Sequence, residues 1–80
     1  MTERIRAAVF EALTDLAPEV ESLDEIDSAA DLREQVDLDS MDYLNLITAL
    51  AERFSIEIPE TDYRQLYSFD GIVAYLRQKT

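Results

Sequence analysis

Between residues 40 and 54 apolar side chains return every three or four positions: Met41, Leu44, Ile47, Leu50, Ala51 and Phe54. That spacing matches the turn of an α-helix and predicts one long amphipathic helix over 40–54 with a wide apolar stripe. The stripe must be covered by other elements of the same chain, and the sequence offers little β structure to do it. The one alternating segment, Ile56-Glu57-Ile58-Pro59, is short, ends in proline and has no partner strand elsewhere. It reads as an extended connector.

Two further helices supply the cover. Over residues 3–16, Ile5, Val9, Ala12, Leu13 and Leu16 share one face, Thr2 is the expected N-cap, and Pro18 stops the helix soon after Leu16. Ser68 caps a last helix over 69–78, with Phe69, Ile72, Val73 and Leu76 inward and Gly71 a small propensity cost. Residues 60–66 read as one or two helical turns packed through Tyr63 and Leu66. The stretch 17–38 is long for a loop, so Leu23, Ile26, Leu32, Val36 and Leu38 are expected to anchor it. Ser28-Ala29-Ala30-Asp31 has the spacing of a capping box and predicts a short helix over 29–35. The expected fold class is all-α: a small four-helix bundle, three longer helices plus one short helix, with a long first loop. One domain spans residues 1–80.

Composition narrows the chemistry. There is no cysteine and no histidine. Disulfides, thiol nucleophiles and the commonest general base and metal ligand are therefore missing, and no catalytic constellation assembles. An enzyme is not expected, and neither is a metal site. The net charge of −11 repels nucleic acid and anionic membrane surfaces. No apolar run is long enough to span a bilayer, and Met1-Thr2-Glu3-Arg4 lacks a secretory layout, so a cytoplasmic monomer is expected. Ten of the 18 acids lie in residues 19–42 against a single base, Arg33. Solubility alone accounts for acidity, but this clustering suits a basic partner that docks nearby.

The acidic stretch ends at Val36-Asp37-Leu38-Asp39-Ser40-Met41-Asp42. Ser40 stands where irregular chain gives way to the long helix, so its hydroxyl is expected to be exposed. The unpaired N–H groups and the dipole of a helix start favour negative charge there, which suits a phosphate ester. A calcium loop beginning at Asp37 fails: Met41, Asp42 and Thr48 occupy the fifth, sixth and twelfth positions, where an oxygen ligand, glycine and glutamate are required.

Asp39-Ser40-Met41 resembles the Asp-Ser-Leu/Met attachment motif of acyl carrier proteins and related peptidyl, aminoacyl and D-alanyl carriers. The likeness extends through Leu32-Arg33-Glu34-Gln35-Val36-Asp37-Leu38 before the serine and Leu44, Leu46, Ile47, Leu50, Glu52 and Phe54 after it. It continues through Ile56–Pro59 and Phe69–Leu76, so nearly the whole chain is covered. The resemblance implies a single carrier-protein domain with 4′-phosphopantetheine joined to Ser40 by a phosphopantetheinyl transferase. Acyl or aminoacyl groups would ride on that arm as thioesters. It implies partners with basic docking faces: loading enzymes, synthases or acyltransferases.

The resemblance also suggests roles for other residues. Asp37, Asp39, Met41, Asp42 and Glu52 correspond to the partner-docking surface. Asp39 also reads as a helix cap, Met41 as core and Glu52 as a solvated face. Leu44, Ile47, Leu50, Phe54, Ile58, Leu66, Tyr67, Phe69 and Ile72 correspond to the acyl pocket, although core packing explains each of them singly. Asp37 stands where many members have glycine, Asn45 and Ala51 where fatty-acid carriers usually have glutamate, and Tyr63, Tyr67 and Phe69 add aromatic bulk. These departures suit a specialised discrete carrier for a modified acyl, aminoacyl or secondary-metabolite unit. The competing reading is a helical interaction module that keeps the fold and the serine without the cofactor.

Overall fold

The computed structural model describes residues 2–36 and 38–80, with the backbone alone for Leu23. Four α-helices follow in order: α1, Thr2–Leu16; α2, Leu32–Gln35; α3, Ser40–Phe54; and α4, Phe69–Lys79. Two 3-10 turns, Leu23–Glu25 and Glu60–Gln65, punctuate the connections. No strand occurs among the described residues, and no helix there is long and apolar enough to cross a membrane. The fold is the expected small all-α bundle.

α1 packs on both α3 and α4. Its inner face is Ile5, Val9, Ala12 and Leu13, all buried, with Leu16 half-buried at the end. These are the positions the spacing predicts. Thr2 is the first helical residue rather than the cap. The Ala17 N–H still bonds the Leu13 carbonyl at 2.9 Å, after which Pro18 ends the pattern.

α3 begins and ends where the sequence predicts, but it is rotated relative to the expected stripe. Tyr43, Leu46, Ile47 and Leu50 are its buried residues. Met41 is 66% exposed and Leu44 41% exposed, while Ala51 and Phe54 are half-buried. The cause is Tyr43. Its hydroxyl donates to the Leu66 carbonyl at 2.9 Å and the Tyr63 carbonyl at 3.2 Å, so a side chain that reads as polar is held in the core. Burial pushes the Tyr43 phenol up to about 12, with Tyr67 adding to the shift, so it stays a neutral donor across the physiological range. Rotating α3 to bury Met41 and Leu44 would gain about 1.5–3 kcal/mol for each side chain. It would expose Leu46, which is fully buried, and break both tyrosine bonds, so the observed rotation wins.

The first loop is held by a few specific bonds. The Asp27 N–H donates to Gln35 Oε1 at 2.6 Å, and Gln35 Nε2 donates back to the Asp27 carbonyl at 2.7 Å. Residues 28–32 run beside 67–70: Leu32 N–H bonds the Tyr67 carbonyl, Asp70 N–H bonds the Ser28 carbonyl, and Asp31 and Ser68 form an antiparallel bridge. The Ser28 hydroxyl caps nothing among the described residues: Asp27 takes the Ala29 N–H on its side chain and the Ala30 N–H on its carbonyl, which makes a turn there. α2 starts later than 29, at Leu32, with Asp31 as its cap. Of the expected anchors, Leu32, Val36 and Leu38 are buried and Ile26 packs against the core; the Leu23 side chain lies outside the described residues.

Arg33 closes this region. Its guanidinium grips Asp31 in two places, at 3.1 and 2.8 Å, and lies 4.1 Å over the Tyr67 ring and 5.7 Å from the centre of Tyr43. The hydrogen bond from Arg33 holds the Asp31 carboxyl below its usual range. A depressed carboxyl stabilises the fold above the ordinary aspartate pKa of about 3.9, and that contribution is lost as pH falls through the lowered value. Asp31→Asn is expected to flatten the acid limb of a stability–pH profile while losing little of the cap. An unchanged acid limb would contradict this.

α4 is capped by Ser68, whose Oγ accepts from the Gly71 N–H at 2.9 Å, and it buries Phe69, Ile72, Val73, Tyr75 and Leu76. Tyr75 is an addition to the expected set. Its hydroxyl donates to Asp62 at 2.7 Å and so ties α4 to the second 3-10 turn. Gly71 allows the close approach there, since a Cβ on it would sit 2.5 Å from the Gln65 carbonyl oxygen. Gly71→Ala in an open helix would stabilise by about 1 kcal/mol. Here a loss of roughly 1–3 kcal/mol is expected in urea denaturation, because backbone must give way. A gain in stability would refute the tight contact.

Candidate functional site

Ser40 is the first residue of α3 and is exposed. The helix can start there because Asp39 is extended (φ −84°, ψ −178°) and its Oδ1 accepts from the Asp42 N–H at 2.8 Å. The Tyr43 N–H bonds the Asp39 carbonyl, the first bond of the helix ladder. The N–H groups of Ser40 and Met41 have no partner among the described residues. An exposed hydroxyl thus sits at the positive end of the helix dipole, which suits a phosphate ester. Nothing in the core must move to admit one.

Around the serine, Asp39 and Met41 are exposed, Asp42 is half-buried, and Glu52 is exposed three turns further along α3. Asp37 lies outside the described residues. Met41 and Leu44 are three apart and form an exposed apolar pair between these acids. Tyr67, 37% exposed, has its ring centre 5.9 Å from that of Tyr43, one turn after Ser40.

A cleft of about 400 Å³ opens alongside α3. Its walls are Ile47, Thr48, Ala51, Glu52 and Ser55 from the helix and its end, and Ile56, Glu57, Ile58 and Tyr63 from the chain that follows. Ser55 makes it. This residue is left-handed (φ 55°), its N–H bonds the Ala51 and Glu52 carbonyls, and the Ile56 N–H bonds Ala51 at 3.0 Å. Such a reversal sends the chain back along the helix it has just left. Ser40, Leu44, Ile47 and Ala51 fall within about 60° of one another around the helix axis, so the serine and the cleft share one side of α3. About 10 Å of helix separates Ser40 from Ile47.

Of the residues expected in an acyl pocket, Ile47 and Ile58 line this cleft. Leu50, Leu66, Phe69 and Ile72 are sealed in the core, and Phe54 packs against it half-buried. Leu44 and Tyr67 are at the surface. The core residues are shut away because α1 and α4 close over them with no exposure left. Sequence reasoning missed Thr48, Ser55, Ile56, Glu57 and Tyr63 as cleft residues. Ser55, where the apolar pattern stops, was the available signal. A second cleft, of about 620 Å³, is lined by Thr2, Arg6, Asp70, Val73, Ala74, Arg77 and Gln78 and contains nothing from α3.

Residues 11–76 match a family model described as a phosphopantetheine attachment site. The chain is similar to the acyl carrier protein of Campylobacter hominis, 34% identical over 92% of this chain and 86% of the relative. It is similar to that of Campylobacter curvus, 33% identical over 89% and 95%, and to that of Helicobacter hepaticus, 34% identical over 92% and 90%.

The cap can be separated from the charge at Asp39. Asp39→Ala is expected to cost about 1 kcal/mol in urea denaturation, whereas Asp39→Asn should stay within a few tenths of the parent. Equal losses in both variants would mean that the carboxylate acts through charge and the cap is incidental.

Proposed function

The chain belongs to the family of acyl carrier proteins with a phosphopantetheine attachment site, and from that premise we propose that Ser40 is the residue that holds the arm. The observation that carries this reading is the exposed Ser40 hydroxyl at the start of α3, at the positive end of the helix dipole and on the same side of the helix as the cleft. When bound, the arm supplies a terminal thiol that carries acyl groups as thioesters. The chain's own residues do the rest. Asp39 fixes the helix start and so the direction of the Ser40 Oγ, which forms the phosphodiester. The positive end of the α3 dipole favours the phosphate's charge.

Asp37, Asp39, Met41, Asp42 and Glu52 form the docking surface in this reading: acids that steer a basic partner face, and a flexible thioether that packs against it. The transferase, loading enzymes and synthases or acyltransferases would share it in turn. The cleft lined by Ile47, Ala51, Ile56 and Ile58 is the resting place for cargo. The departures at Asn45 and Ala51, together with the polar rim of the cleft, favour a specialised carrier over a housekeeping one. The chain itself is a non-catalytic cytoplasmic monomer on this account, which the absence of histidine and cysteine supports.

Incubation with coenzyme A and a promiscuous phosphopantetheinyl transferase, followed by intact mass measurement, tests the assignment. The protein should gain one phosphopantetheine and Ser40→Ala none. No gain in the parent protein would favour an interaction module without the cofactor, and a gain retained by Ser40→Ala would move the attachment elsewhere.

A further inference from the structure

The cleft is not uniformly apolar, and its tyrosine is unlike two others nearby. The Tyr43 hydroxyl is committed to two carbonyls and the Tyr75 hydroxyl to Asp62. Tyr63 is half-buried and lines the cleft, and its hydroxyl has no hydrogen-bond partner among the described residues. Its position is nonetheless fixed from both sides. The Tyr63 carbonyl receives the Tyr43 hydroxyl at 3.2 Å, and the preceding residue, Asp62, receives the Tyr75 hydroxyl at 2.7 Å. The ring cannot withdraw by a shift of the second 3-10 turn without breaking these bonds.

The chain after α3 runs back along the helix. Ile56 bonds Ala51, whereas Tyr63 meets Tyr43, so Tyr63 stands towards the Ser40 end of the cleft. Anything drawn from Ser40 towards Ala51 and Ile56 passes it.

We propose that Tyr63 is a specificity-determining residue that favours acyl chains bearing a hydroxyl or oxo oxygen over saturated chains of the same length. The inference rests on the reading of Ser40 as the attachment point and the cleft as the cargo's resting place. A saturated chain seated over Tyr63 displaces water from the phenol and returns no hydrogen bond, and an unsatisfied buried hydroxyl is costly. An oxygen on the chain accepts the phenol's proton and removes that cost. Thr48 and Ser55, also on the cleft, are exposed, whereas Tyr63 is half-buried and has less solvent to fall back on. The preference expected from one such bond is roughly five- to tenfold.

The test loads Ser40 with octanoyl- or 3-hydroxyoctanoyl-phosphopantetheine from the corresponding coenzyme A thioesters. Thioester cleavage by hydroxylamine is then timed against the same thioesters on free pantetheine, which gives a protection factor for each chain. The hydroxylated chain should be protected roughly five- to tenfold better, and Tyr63→Phe, which keeps the ring, should bring the two factors level. Equal protection in the parent protein, or a preference retained by Tyr63→Phe, overturns the inference. Failure to load, seen as no gain in intact mass, overturns the attachment reading instead and this inference with it.

Discussion

The arrangement of this molecule depends on one buried hydroxyl. Tyr43 donates to the carbonyls of Leu66 and Tyr63, and that pair of bonds sets which side of α3 faces the core. With Tyr43, Leu46, Ile47 and Leu50 inward, Met41 and Leu44 face out, and Ser40 is exposed at the helix start. The same bonds draw the second 3-10 turn against the helix and so define the cleft wall at Tyr63. Breaking them would leave the Leu66 carbonyl without a partner among the described residues, a penalty of about 1–3 kcal/mol, whereas the Tyr63 carbonyl would keep the Leu66 N–H at 2.9 Å. Exposure of the Met41 and Leu44 pair beside the serine is thus a consequence of core packing, while the Asp39 cap sets where the helix, and so the serine, begins.

Much of this was legible in the sequence, and the gaps have identifiable causes. The bounds of α3 and α4 follow from Asp39, Ser68 and the break at Ser55, because caps and breakers act locally. The buried face of α1 follows from spacing alone, since every residue on it is aliphatic. The face of α3 does not, because Tyr43 reads as polar until its hydroxyl is given two carbonyls twenty and more residues away. α2 starts three residues late for a similar reason: residues 28–32 are held against 67–70 by the Leu32–Tyr67 and Asp70–Ser28 backbone bonds, which no local pattern encodes. The cleft escaped because it is made by a left-handed serine and a returning chain, whereas the apolar residues expected to form a pocket became sealed core.

The division between sealed core and open cleft fits a carrier. A domain of this size has little stability to spare, so opening its interior for cargo would compete with folding itself. Here the centre of the core stays closed, and the space next to α3 lies between one side of that helix and the half-buried Ile56, Ile58 and Tyr63 of the connector. On the proposed reading, function is concentrated on one helix: the attachment hydroxyl at its start, acids and Met41 on its exposed faces, and the cleft along its side. The rest of the chain keeps that helix at a fixed rotation.

Peptide-level mass spectrometry of the protein isolated from its native cell tests the central claim most directly. The account predicts that the peptide spanning Ser40 carries phosphopantetheine and that fragmentation places it on that residue. An unmodified Ser40 in a cell whose other carriers are loaded, or an arm found on a different residue, would contradict it.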